Sequence, residues 1–379
     1  MFCCADLCRN RETDRESHAE YCEEKMFAEI GMHRPSDYSI EDTPLLFPDG
    51  RTGHLHTIEC GDPSSQPLVL IHGYGSGAVF FFKLMRELRG RFRIYAIDLY
   101  GMGSSTRPTL EDLDYSGVVE FLLEPLELWR KQKNITSFVL AGFSMGGYVA
   151  ALWLKVKRPP VVCAYLLSPA GFTNKSEEEI HSSGGFTDKV FHQLYKTYIH
   201  DKKINPFGMV PFRNMVLKKS CDSSLTGFTK EEVKWATKYL ISIFDKNESG
   251  ERVLGVLLRY LKYSSRPICD FAKDMVDDAK SRKNSYLVPP VKVLFGDQDL
   301  MDFAHAIEEN RRCSSPVDIE MVPDCDHQLI HRHCEKISSV ILRDYHQGYN
   351  TVHTDFWLKR GLNTGLLRKY IILINSLWL

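Results

Sequence analysis

Phe138-Val139-Leu140-Ala141-Gly142-Phe143-Ser144-Met145-Gly146-Gly147 carries an apolar run straight into a serine with a glycine two positions to either side. A helical pattern from Tyr148 to Lys157 follows at once and stops before Pro159-Pro160. The run reads as a strand, so the serine falls on a strand-to-helix turn. Such a turn is strained and packs against its neighbours, which requires small residues where Gly142 and Gly146 stand. It also puts Ser144 at a helix N-terminus, where the dipole and the Met145 amide favour negative charge developing on a substrate oxygen. A bare G-x-S-x-G can be a glycine-rich helix start with an N-capping serine; the apolar strand in front of this one favours a nucleophile.

Outward from this turn, Leu68-Val69-Leu70-Ile71, Ile94-Tyr95-Ala96-Ile97, Tyr165-Leu166-Leu167 and Val291-Lys292-Val293-Leu294-Phe295 repeat the short apolar run. Continuous rather than alternating hydrophobicity predicts strands covered on both faces, hence an α/β fold with a central, mostly parallel sheet. From Thr57 to His72 two strands flank the turn cluster Gly61-Asp62-Pro63-Ser64-Ser65, and Tyr115 to Lys133 reads as a helix kinked near Pro125. Between Phe172 and Pro290 the alternation fails and helical periodicity takes over, which predicts an inserted helical cap. Within it Val253, Val256, Leu257, Tyr260 and Leu261 spell one amphipathic face. The expected organisation is a polar, partly disordered segment 1–40, a first core part 41–171, the cap 172–290, a second core part 291–345 and an apolar tail 346–379.

A serine nucleophile needs a base, an acid to orient it and donors for the oxyanion. The acid should follow a late strand, and Val291–Phe295 leads into Gly296-Asp297-Gln298-Asp299, of which Asp299 is preferred to Asp297. The base should come last, and His327 lies in a loop after the alternating segment Val317 to Val322; His331 and His333 are its rivals. His72-Gly73-Tyr74-Gly75 follows an earlier strand, so the backbone N–H groups of Tyr74 and Met145 are the predicted oxyanion donors. His72 is read as a brace for that loop rather than a proton carrier. Cys325, His327, His331, His333 and Cys334 are metal-ligand types in a short run, but their spacing matches no standard zinc pattern, and a metal there would take the base. No metal and no cofactor are expected.

Lys+Arg 48 against Asp+Glu 49 leaves no basic footprint, which argues against nucleic acid as a partner. Eleven cysteines without a secretory leader point to a reduced, cytoplasmic setting. No run reaches the ~20 apolar residues of a membrane span. Cys3, Cys4 and Cys8 could carry palmitate, and Tyr370 to Leu379, apolar and preceded by Arg368 and Lys369, could lie on a membrane surface.

Together these residues resemble the α/β-hydrolase superfamily over roughly residues 60 to 345. Asp98-Leu99-Tyr100-Gly101-Met102-Gly103-Ser104-Ser105 is similar to its D-x-x-G-x-G-x-S loop. Pro206-Phe207-Gly208, Ser249-Gly250-Glu251, Arg266-Pro267 and Gly296-Asp297-Gln298-Asp299-Leu300-Met301-Asp302 resemble, more narrowly, the α/β-hydrolase domain-containing proteins 4 and 5. That resemblance implies an α/β-hydrolase fold and a lipid substrate, a glycerophospholipid or its lyso form, cleaved by a lysophospholipase or N-acylphosphatidylethanolamine-type lipase. It also implies alternatives: acyl transfer to lysophosphatidic acid, or a non-enzymatic lipase co-activator on lipid droplets. The expected location is cytoplasmic and peripheral on membranes, lipid droplets or mitochondria. Ser144, which some members lack, favours catalysis. The family's acyltransferase motif H-x4-D is missing its acid, because Arg332 stands five residues after His327, where the aspartate would be. Asp326 replaces the usual glycine before the histidine and Leu300 replaces tryptophan; Asp326 is expected to hold the imidazolium.

Overall fold

The computed structural model describes residues 18–176, 178–179, 225, 227–259, 262–280, 289–312 and 317–346. Among them, eight strands form one sheet in the order β1-β2-β4-β3-β5-β6-β7-β8. The strands are β1 Tyr38–Leu46, β2 Thr52–Cys60, β3 Gln66–Ile71, β4 Phe92–Ile97, β5 Phe138–Phe143, β6 Val161–Leu167, β7 Val291–Gly296 and β8 Asp318–Val322. β1, β2 and β4 pair antiparallel, and every pairing from β4 through β3 to β8 is parallel. The longer helices are α1 over residues 18–29, α2 Phe82–Leu88, α3 Tyr115–Gln132, α4 Met145–Val156, α5 Lys230–Phe244, α6 Ile268–Lys280, α7 Phe303–Arg312 and α8 Cys334–His346.

The apolar strands have a simple cause. Successive residues of a strand point to opposite faces, and both faces are covered: Val69 and Ile71 enter one core with Trp129 and Trp153, Leu68 and Leu70 the other with Phe81 and Phe82. α3 keeps Pro125 inside it, and the Asp114 carboxylate caps it by accepting the Gly117 N–H at 2.8 Å.

Within the segment 1–40, residues 18–29 are a helix that buries Ala19, Cys22, Glu23, Met26 and Phe27. One expectation is corrected. The stripe from Val253 onward is not one amphipathic helix: a 3₁₀ turn over Gly250–Val253 leads into a single α-turn, Leu254–Leu257, and Leu258 is extended. Tertiary hydrogen bonds outcompete helix propagation here. Ser264 donates its hydroxyl to the Leu257 carbonyl, and the Lys262 carbonyl accepts the Gly171 N–H. Tyr260 and Leu261 lie outside the described residues, as do Pro206-Phe207-Gly208, the N-terminal cysteines and the tail from Tyr370. Among the described residues no helix is long and apolar enough to cross a membrane.

Ser249-Gly250-Glu251 clasps the loop after β4. Gly250 N–H donates to the Gly101 carbonyl at 2.8 Å, the Ser249 hydroxyl donates to the Pro108 carbonyl, and Arg107 donates to both Glu251 oxygens at 2.7 Å. Both bonds come from one guanidinium nitrogen, and the pair is largely buried, which ties Glu251 to the loop.

α1 is tied to the sheet by an ion cluster in which Glu23 and His56 are buried and Asp42 is exposed. His56 on β2 faces Glu23 through Nε2 at 3.2 Å and Asp42 through Nδ1 at 2.8 Å. Burial pulls the His56 imidazole down, but the two carboxylates outweigh it and hold the ring well above the usual histidine range. A histidine raised in this way stabilises the fold fully below the unfolded value near ~6.5, and the contribution is lost as pH rises through the raised one. His56→Ala should therefore cost about 3–5 kcal/mol in urea unfolding at about pH 6, since it leaves the fully buried Glu23 carboxyl without its cation. A loss under ~1 kcal/mol would mean that the cluster is not an ion pair in solution.

Candidate active site

Ser144 is the single residue between the end of β5 and the start of α4, with φ 55° and ψ −119°. A positive φ is disfavoured for any residue with a Cβ and costs ~1–3 kcal/mol. Backbone bonds to the exit of β6 hold it in place: Ser144 N–H donates to the Leu167 carbonyl at 2.9 Å, and the Ser144 carbonyl accepts the Ala170 N–H at 3.0 Å. The flanking glycines allow the close approach. A Cβ on Gly146 would stand 2.1 Å from the Ile71 carbonyl oxygen, and one on Gly142 2.2 Å from that of Gly146.

Asp299 sits just beyond β7 and His327 beyond β8, so three parallel strands point their carboxyl ends at one spot. His327 Nδ1 lies 2.9 Å from Asp299 Oδ1, and Nε2 lies 3.2 Å from Ser144 Oγ. Since the carboxylate can only accept, Nδ1 carries the proton and Nε2 presents its lone pair to the serine hydroxyl. The Asp299 side chain is fully buried and the His327 ring nearly so. Burial raises the Asp299 carboxyl, yet bonds from His327, the Met301 N–H and the Ser168 hydroxyl outweigh it and leave the group below the usual carboxylate range. The Phe143 ring leans on His327, centroids 5.1 Å apart at 35°.

Tyr74 follows Gly73, where a Cβ would come within 3.1 Å of the Ser144 Cβ, so the loop after β3 runs alongside the serine. Met145 is the first residue of α4, where N–H groups have no partner within the helix. His72 is tied into the loop: Nε2 accepts the Leu99 N–H at 3.0 Å and Nδ1 donates to the Gly73 carbonyl at 2.7 Å. Both ring nitrogens are thus engaged by the backbone, which makes His72 a brace for the loop. α5 covers this rim, with the Tyr239 ring on Phe80 and its hydroxyl 3.5 Å from Asp98 Oδ2.

Asp297, the rival acid, accepts the Cys325 N–H at 3.0 Å instead. The rival base His331 is buried among Phe80, Phe143 and Phe228, and burial pushes its imidazole down to about 3. Asp326 accepts the Gln328 N–H at 2.8 Å and faces Arg332 at 3.5 Å. Among the described residues the Cys325–Cys334 run does not bring three ligand atoms together; the one group that does is Glu23, His56 and Asp98, where His56 bonds Glu23 and the Asp98 oxygens accept backbone N–H groups. Reasoning from sequence missed Ser168 and the Met301 amide, which both donate to Asp299.

A family model described as alpha/beta hydrolase fold matches residues 66–333. The chain belongs to the α/β-hydrolase family. Among curated relatives of this α/β-hydrolase, the 1-acylglycerol-3-phosphate O-acyltransferase of Arabidopsis thaliana is 28% identical over 284 residues, 72% of this chain and 65% of that one. The chain thus spans just under two thirds of that relative's length. The 1-acylglycerol-3-phosphate O-acyltransferase ABHD5 of Rattus norvegicus is 31% identical over 42% of this chain and 44% of its own. The (lyso)-N-acylphosphatidylethanolamine lipase of Bos taurus is 36% identical over 28% of this chain and 31% of its own. The α/β-hydrolase is thus similar to the ABHD5 and (lyso)-N-acylphosphatidylethanolamine lipase proteins. Among solved structures, carboxylesterase CesB (YbfK) from Bacillus subtilis matches with a TM-score of 0.58 at 14% identity, covering 87% of this chain and 97% of that one.

Proposed function

We propose that this α/β-hydrolase cleaves a carboxylic ester or N-acyl bond of a glycerophospholipid or lysophospholipid through an acyl-enzyme on Ser144. The observation that carries the reading is the unbroken chain from Ser144 Oγ through His327 to the buried Asp299. His327 Nε2 takes the serine proton as Oγ attacks the acyl carbonyl, and the Asp299 carboxylate stabilises the imidazolium that forms. The amides of Met145 and Tyr74 receive the oxyanion, each contributing ~2.7–4 kcal/mol of transition-state stabilisation. His327 then returns the proton to the departing alcohol or amine, and water, activated by the same nitrogen, releases the fatty acid.

The lipid class rests on the relatives' names, two of which denote acyl transfer to a glycerol phosphate and one a phospholipid lipase. Transacylation would use the same acyl-enzyme, with a lysophospholipid hydroxyl in place of water. Arg332, where the acyltransferase motif has its acid, favours hydrolysis. The test offers the full-length protein lysophospholipids, N-acyl phospholipids and short-chain esters, with and without lysophosphatidic acid as acceptor. Free fatty acid from a phospholipid, undiminished by the acceptor, is the expected result. Acylated acceptor in its place would make the protein a transacylase, and no product from any donor would favour a scaffold or lipase co-activator.

A further inference from the structure

We infer that the Ser168 hydroxyl is a positioning residue for Asp299, setting the orientation of the acid that holds His327; this rests on the catalytic reading above. Ser168 is the first residue beyond β6, and β6 lies between β5 and β7 in the sheet. It is fully buried, and its hydroxyl donates to Asp299 Oδ2, the oxygen that His327 does not use. Asp299 Oδ1 is shared by His327 Nδ1 and the Met301 N–H at 2.9 Å. A carboxylate held through one oxygen can swing about its χ2, a soft torsion; the bond to the second oxygen stops that swing.

The backbone at Ser168 is arranged for this contact. Its φ is +44°, a region that disfavours side chains, and its N–H donates to the Leu294 carbonyl of β7 at 2.7 Å. If a tight turn were all that mattered, glycine would suit the position better than serine. A serine kept at positive φ, in contact with the carboxylate, points to its hydroxyl. The same exit also bonds the Ser144 backbone through Leu167 and Ala170, so one short segment touches both the nucleophile and the acid.

The test compares wild type, Ser168→Gly, Ser168→Asn and Ser144→Ala on a short-chain p-nitrophenyl ester, with full pH profiles and thermal unfolding of each. Glycine accepts the positive φ and removes the hydroxyl; asparagine tolerates the same φ and supplies an amide donor. Ser168→Gly should unfold no earlier than wild type, yet lose about 10- to 100-fold in kcat, the rate equivalent of a hydrogen bond to a charged group, with KM little changed. The acidic limb of its profile should move to higher pH, because an Asp299 carboxylate with one donor fewer holds the His327 imidazolium more strongly and the base must be unprotonated to act. Ser168→Asn should recover part of both. Wild-type kcat and pH profile in Ser168→Gly, or equal loss in the glycine and asparagine variants, would overturn the assignment. Turnover by Ser144→Ala near wild type would instead sink the catalytic reading beneath it.

Discussion

Replacing Ser144 by alanine is expected to lower kcat by about 10⁶-fold on any ester the wild type cleaves, and to abolish covalent labelling by a fluorophosphonate. The size follows from what the side chain does. Ser144 Oγ is the hydroxyl that faces His327 Nε2, and without the nucleophile only the oxyanion donors and substrate binding remain, worth a residual ~10³–10⁴ over water. Folding should survive: alanine removes one oxygen from a residue whose backbone bonds to Leu167 and Ala170 do the holding. Alanine at φ 55° is as strained as serine, so unfolding within ~1 kcal/mol of wild type is the accompanying result. Activity within tenfold of wild type would remove Ser144 from the mechanism.

Asp299→Asn should cost about 10⁴-fold in kcat while leaving the geometry nearly intact. The amide oxygen at the Oδ2 place can still accept from Ser168, but the NH2 then stands at the Oδ1 place and presents an N–H to His327 Nδ1, at the loss of the Met301 bond. His327 must answer with a lone pair on Nδ1, which moves its proton to Nε2, the atom 3.2 Å from Ser144 Oγ. A protonated Nε2 cannot accept the serine proton. Asp297→Asn is the matched control: asparagine keeps an oxygen for the Cys325 N–H, so a loss under ~10-fold is expected. If Asp297→Asn proved the more damaging change, the acid would have been assigned to the wrong residue. Combining Ser144→Ala with Asp299→Asn should add little to the serine variant alone, since the groups act as a unit.

How much of this was legible in the sequence depends on how locally each feature is encoded. β3, β5 and β7 announce themselves because both of their faces are buried, which makes their runs almost wholly apolar, Lys292 in β7 being the exception inside a run. β1 did not, because Tyr38–Leu46 is an edge strand with charged and exposed residues among its buried ones. α1 was hidden by its charges: an apolar face made of Ala19, Cys22, Met26 and Phe27 is narrow, and Glu23 on that face is neutralised by His56, far along the chain. The stripe at Val253–Leu261 failed for the opposite reason, its period being helical while backbone bonds to Gly171 and Thr173 claim the chain instead. Ser144, Asp299 and His327 could be named from strand context and chain order, and the structure brings those side chains together. Ser168 could not be named that way, because its contact depends on β6 lying beside β7, a pairing between segments far apart in sequence.

That pairing has a further consequence. β6 and β7 are hydrogen-bonded neighbours although residues 168–290 run between them. The sheet therefore fixes where the intervening chain leaves and where it returns, whatever it does on the way. Closing a loop of twice the length costs only ~0.6 kcal/mol more, so length there is almost free. Length in the middle of that segment costs the sheet little, while its first residues, Ser168 and Ala170, stay pinned to the strand ends that carry Ser144 and Asp299.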